Sequence, residues 1–199
     1  MCPRPRTTVS VSGGFWILLG WFLLGNGWAP LAAVLSAAGL HEAGHYLVLR
    51  LLGAQVRSVH VGVLGMKMEV VPGRLSYGGE LAAVLAGPAV NLLCGTVLAA
   101  AGERWLAAAG AHLALAMFNL LPIRPLDGGR ALTIGAVWLA GPERGERAAR
   151  WVSCCCAAVL AAVLAALMWV SGGSLWLLPP AAAALAAACR EMAGKRRFL

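Results

Sequence analysis

Two histidines four residues apart, with a glutamate directly after the first, are the clearest chemical signal in this chain: His41-Glu42-Ala43-Gly44-His45. On a helix, residues four apart share a face, so both imidazoles can reach one tetrahedral ion. Glu42 then lies beside that ion, where it can take a proton from a bound water. Zinc in such a site lowers the pKa of its water to about 7 and polarises a carbonyl, so the pattern reads as metal-assisted hydrolysis. Two histidines and a glutamate inside an apolar run are costly unless paired or functional, which argues against a chance occurrence.

Catalytic zinc sites keep three protein ligands and leave the fourth position to water. Asp127 is one candidate for the third, directly after an apolar run that ends in Phe118-Asn119-Leu120-Leu121-Pro122. Between Arg124 and Pro142 the helical pattern breaks, and Pro125, Gly128 and Gly129 predict a tight turn that aims the carboxylate back at the helices. His60, in a strand-like segment, and His112, on an otherwise apolar helix, are rivals; Glu69 and Glu80 are weaker ones. A lone helical histidine is more often a packed, hydrogen-bonded residue than a ligand, and His112 is read that way.

The elements that must position these groups are apolar. Hydrophobic residues make up 60% of the 199-residue chain and charged residues 12%, against about 25% charge in an ordinary soluble domain. Runs near 14–25, 29–51, 80–101, 105–121, 151–170 and 174–190 approach the roughly 20 residues that cross a bilayer. The fold class is therefore an α-helical polytopic membrane protein with about six transmembrane helices, forming a single membrane-embedded domain over residues 1–199. The first run lacks a clear small-residue cleavage site and is read as a retained helix. After the second run, the valine-rich segment 56–61 and the alternating Met66-Lys67-Met68-Glu69-Val70 flank Gly62 and Gly65, which predicts a short membrane-associated β-hairpin.

The net charge of +8 does not indicate a nucleic-acid partner, because its distribution is one-sided. With six spans, Arg104 is the single basic residue of the 16 Lys and Arg that falls in the opposite set of loops. Basic loops stay in the cytoplasm, so both termini are expected there. The tail Lys195-Arg196-Arg197 reads as a topology anchor. The six cysteines show no CxxC metal spacing, and Cys154, Cys155 and Cys156 read as small helical residues rather than palmitoylation sites. Trp28, Trp105, Trp151 and Trp176 sit near span ends, as in an aromatic belt.

HEAGH in an apolar helix, followed by Asn119-Leu120-Leu121-Pro122 and Leu126-Asp127-Gly128, resembles the site-2 protease family of intramembrane zinc metalloproteases. Ala86-Gly87-Pro88-Ala89-Val90-Asn91 resembles the family's GPxxN signature, and the three motifs cover about residues 36–130 in the family's order. The six-span layout is most similar to the sporulation branch that processes a sigma-factor precursor, read here without that branch's CBS domain. It also lacks the PDZ insertion of the envelope-stress branch. The resemblance implies that His41, His45 and Asp127 bind Zn2+ and that Glu42 activates the water. It implies that Asn119 holds the substrate backbone or the oxyanion, while Gly87 and Asn91 are structural. Arg124 departs from the small or apolar residue common at its place.

The implied activity is cleavage of a membrane-tethered protein substrate near the cytoplasmic face of a bacterial cell membrane. The segment Met66–Val71 would offer a strand edge to the substrate. The resemblance further implies regulated proteolysis of a transcription-factor precursor, with membrane-protein inhibitors or regulators as partners alongside the lipid bilayer. The rival class is a non-proteolytic metal-binding membrane protein, a transporter or an inactive scaffold. Glu42 discriminates against it, because metal binding alone does not require that residue.

Overall fold

The computed structural model describes residues 8–62, 65–71, 75–172 and 184–189. The predicted run 174–190 lies largely outside them, as does the Lys195–Arg197 tail. The chain divides into two compact units, residues 1–117 and 118–199.

The first unit opens with strand β1 (Thr8–Val11), followed by α1 (Gly13–Asn26) and α2 (Trp28–Leu51). Ser12 caps α1, its hydroxyl accepting from the Phe15 N–H at 3.3 Å. Gly27 separates the two helices at φ 80°, a left-handed conformation that favours glycine. Strands β2 (Val56–Gly62) and β3 (Gly65–Val70) pair antiparallel, with Val61 opposite Met66 and Val59 opposite Met68. β1 adds in parallel to the other side of β2, giving the order β1-β2-β3 among the described residues. Thus the segment ahead of the first apolar run, for which the sequence predicts no strand, contributes one. Val59, Met68 and Val70 pack with Leu75 against a core of Leu49, Ala54, Val56 and Ala83, which ties the sheet to α2 and to the next helix.

That helix, α3 (Tyr77–Ala100), starts at Ser76, whose hydroxyl accepts from the Gly79 N–H, with Glu80 in the favourable first turn. The short 3-10 turn Glu103–Trp105 leads into α4 (Leu106–Asn119), whose last two residues belong to the second unit.

The second unit corrects the sequence reading. The stretch expected to be a tight turn around Asp127 is instead the start of a helix, α5 (Asp127–Ala140). Gly128 and Gly129 are there for close approach. A Cβ on Gly128 would meet the Leu120 carbonyl oxygen at 2.1 Å, and one on Gly129 the Ile123 carbonyl carbon at 2.4 Å. Gly141, at φ 79°, turns the chain into α6 (Pro142–Val170), where Pro142 occupies the first turn. α6 therefore begins well before the predicted boundary at 151. Ile123, Ala157, Ala187 and Ala188 form this unit's core.

α3 and α6 are long and apolar enough to cross a membrane. α1 is apolar but has 14 residues, about 21 Å of helix against roughly 30 Å of hydrocarbon. α2 has 24 residues and carries His41, Glu42, His45 and Arg50 among its apolar ones.

Candidate metal centre

α2 places His41 and His45 one turn apart, with their Nε2 atoms 3.1 Å from each other. The rings stand nearly perpendicular, at 84°. His41 is buried and His45 half-buried. Two nitrogens bound to one zinc at about 2.0–2.1 Å in tetrahedral geometry lie roughly 3.3 Å apart, so the pair fits two ligand positions on that ion.

α3 builds the wall that holds these rings. A Cβ on Gly44 would lie 2.9 Å from the Ala86 carbonyl oxygen, so the glycine of HEAGH lets α2 approach α3 closely. A Cβ on Gly87 would lie 2.4 Å from His45 Nε2, so Gly87 leaves the space that the imidazole fills. His45 Nδ1 lies 2.7 Å from the Ala83 carbonyl oxygen. A carbonyl only accepts, so Nδ1 carries the proton and Nε2 keeps its lone pair for a metal. Pro88, inside the same turn, has no N–H and removes one rung of the helix ladder beside that carbonyl.

On the other side, His41 Nδ1 lies 3.3 Å from Asn91 Nδ2, and Asn91 Oδ1 lies 3.1 Å from His112 Nδ1. Asn91 and His112 are among the most deeply buried side chains, at 0% and 1% exposure. His112 is thus packed and hydrogen-bonded, in keeping with its sequence reading. The sequence gives no hint that its partner is Asn91, or that Asn91 in turn meets His41. The signal that could have found the link is the pair of polar residues on two apolar helices, each of which needs a buried partner.

Glu42 is half-buried and lines a cavity of about 220 Å3 with Gly39, Ala43, Tyr46, Val59, Met66 and Met68. Glu42 therefore shares a small, apolar hollow with the face of the β2–β3 hairpin. His60 is exposed on β2, with Nδ1 2.8 Å from Ser10 Oγ on β1. Glu69 accepts a hydrogen bond from Ser58 at 2.8 Å. Both therefore take part in cross-strand contacts of the sheet.

In the second unit, Asp127 is the first residue of α5 and is buried, at 8% exposure. The positive end of the helix dipole favours its charge, and Arg130 Nη1 lies 3.8 Å away. The preceding loop is fixed by Ser153 of α6, whose buried hydroxyl accepts from the Arg124 N–H at 2.9 Å. Arg124 thus anchors the loop through its backbone, a contact open to other residue types at that position. Asn119 is the last residue of α4 and is half-buried.

No family model matches the chain. It is 34% identical over 140 residues to Rip3 of Mycobacterium tuberculosis, which bears a zinc-metalloprotease name; the match covers 59% of this chain and 33% of Rip3. It is 29% identical over 131 residues to the zinc metalloprotease MJ0392 of Methanocaldococcus jannaschii, covering 58% of this chain and 38% of that one. The matched regions span about a third of the length of these relatives. The solved site-2 protease from Methanocaldococcus jannaschii superposes with a TM-score of 0.60 over 93% of this chain and 88% of that one, at 20% identity. The chain therefore has the fold of a site-2 protease.

Proposed function

We propose that this chain is an intramembrane zinc endopeptidase of the site-2 protease family. The observation that carries the reading is the convergence of His41 and His45 Nε2 with Glu42 between them in sequence, on a helix of a site-2 protease fold. In this reading His41, His45 and Asp127 hold the metal. Two imidazole nitrogens and one carboxylate oxygen are a donor set that suits zinc in a catalytic site. A zinc ion held there supplies Lewis acidity toward a water molecule and a peptide carbonyl.

The chain's own residues do the rest. Glu42 takes the proton of the attacking water and passes it to the amine that leaves as the C–N bond breaks. Asn119 donates a side-chain N–H to the carbonyl oxygen as negative charge builds there. β3 has one strand neighbour among the described residues, so its outer edge can take an extended substrate segment as an added strand. The small hollow beside Glu42 would then receive an apolar substrate side chain.

The membrane setting rests on α3 and α6, on the apolar α1, and on the one-sided basic charge. We place the protein as six spans in a bacterial cell membrane, with both termini cytoplasmic and substrates that are membrane-tethered proteins, a transcription-factor precursor of the sporulation kind included. Membrane-protein regulators would act at the substrate entrance.

Glu42→Gln tests the reading. The amide is nearly isosteric with the carboxylate, so zinc content stays near that of wild type. The amide cannot accept the water's proton, so cleavage of a membrane-tethered substrate falls by about 10²–10⁴-fold or more. Zinc-loaded Glu42→Gln that cleaves at the wild-type rate would remove Glu42 from the mechanism, whereas zinc-loaded wild type that cleaves no membrane-tethered substrate would favour the metal-binding, non-proteolytic class.

A further inference from the structure

His112 is buried on α4 and has no part in the chemistry above, yet it ends a chain of contacts that reaches a metal ligand: His112 Nδ1 to Asn91 Oδ1 at 3.1 Å, Asn91 Nδ2 to His41 Nδ1 at 3.3 Å, His41 Nε2 to His45 Nε2 at 3.1 Å. Three polar side chains from three helices meet where nearly everything else is apolar. Burying them is costly unless each is bonded, and among the described residues no buried side-chain polar atom lacks a partner.

We propose that Asn91 and His112 act as a positioning relay that fixes the ring orientation and tautomer of His41 for zinc. The relay rests on the metal reading above and adds a direction to it. For His41 to offer Nε2 to a metal, its proton must sit on Nδ1. Nδ1 then donates, and Asn91 must turn its carbonyl oxygen toward it. The Asn91 amide N–H in turn donates to His112 Nδ1, which requires the His112 proton on Nε2. The nitrogen and oxygen of a carboxamide exchange places by a half-turn about its last bond, with almost no change in shape. The same heavy-atom contacts therefore serve this polarity. His45 needs no such relay, because its Nδ1 already donates to a backbone carbonyl, which can only accept. The two ligands are thus held differently, His45 by fixed backbone and His41 by two side chains in series. Outer partners of this kind are worth about 10–100-fold in metal affinity.

The test is zinc affinity, measured on purified protein in detergent by competition with a chromogenic chelator, beside thermal unfolding of the metal-depleted protein. His112→Leu removes the acceptor for Asn91 and should weaken zinc binding about 10–100-fold. His112→Asn puts an amide oxygen near the place of Nδ1 and should restore affinity to within about threefold of wild type. Both substitutions remove the ring, so both should lower the unfolding temperature of the metal-depleted protein; affinity is what separates them. Asn91→Asp tests the direction, because a carboxylate can accept from His41 but cannot donate to it. It should hold zinc at wild-type strength or tighter, and it keeps the test open should His112→Leu not fold. Wild-type affinity in His112→Leu would overturn the relay, as would equal loss in His112→Leu and His112→Asn. Tenfold weakening in Asn91→Asp would overturn its direction. Wild type that binds no zinc would instead remove the metal reading on which the relay stands.

Discussion

α3 and α6 have nearly the same credentials as long apolar helices, but they do different work. In α3, 39% of the apolar stretch is buried within the protein; in α6 the share is 11%. α3 buries Gly87, Pro88, Asn91 and Gly95, residues that accept a neighbouring ring or helix or bond to a histidine. α6 buries Gly145, Ala149, Ser153 and Ala157 along one narrow stripe and leaves Val159, Val163, Leu167 and Trp169 exposed. A solvent-facing helix with such a surface would be an aggregation site; a lipid-facing one is at rest. Hydropathy thus reports that a helix avoids water, and burial decides whether protein or lipid takes water's place.

Charge on the outer face of α6 should break that comparison most severely. Val159→Asp puts a carboxylate on an exposed position near the middle of the helix's apolar stretch. If lipid covers that face, the cost is about 2.5–3.5 kcal/mol at the bilayer centre, read as failed insertion or a loss of folded protein from the membrane. A wet surface would tolerate the change within about 0.5 kcal/mol.

Two glycines of α3 sharpen the contrast within one helix. Gly87→Ala drives a methyl into the His45 ring, so zinc affinity should fall about tenfold or more as the imidazole shifts from the Ala83 carbonyl. Gly95→Ala meets the Leu113 side chain, with a Cβ 2.7 Å from it. That overpacking should cost about 1–3 kcal/mol of stability and leave zinc affinity unchanged. Chelator competition and thermal unfolding on the same two variants distinguish the outcomes; equal zinc loss in both would mean that packing alone governs the site.

These contrasts also mark what the sequence could convey. The convergence of His41 and His45 was legible because helix geometry alone brings positions four apart onto one face. The β2–β3 pairing follows a local alternation around two glycines, which is equally readable. β1 was not, since four residues make a strand only by pairing with β2, some fifty positions away. α5 was misread for a similar reason: Gly128-Gly129 looks like a break until Leu120 and Ile123 are seen pressed against it. The Asn91–His112 contact joins two helices across 21 positions. Each residue on its own predicts only that it must be satisfied somewhere. What was hidden at β1 and at Asn91–His112 is a partner distant in sequence; at α5 it is a preceding loop folded back on the start of the helix.

The central claim is that α2 carries a zinc site built from imidazole, and zinc K-edge absorption of the purified protein tests it most directly. The account predicts nitrogen and oxygen neighbours at about 2.0–2.2 Å with scattering from two imidazole rings, and loss of most of the zinc in His45→Ala. A sulfur shell near about 2.3 Å, as from Cys154–Cys156, or full zinc retention in His45→Ala, would contradict it.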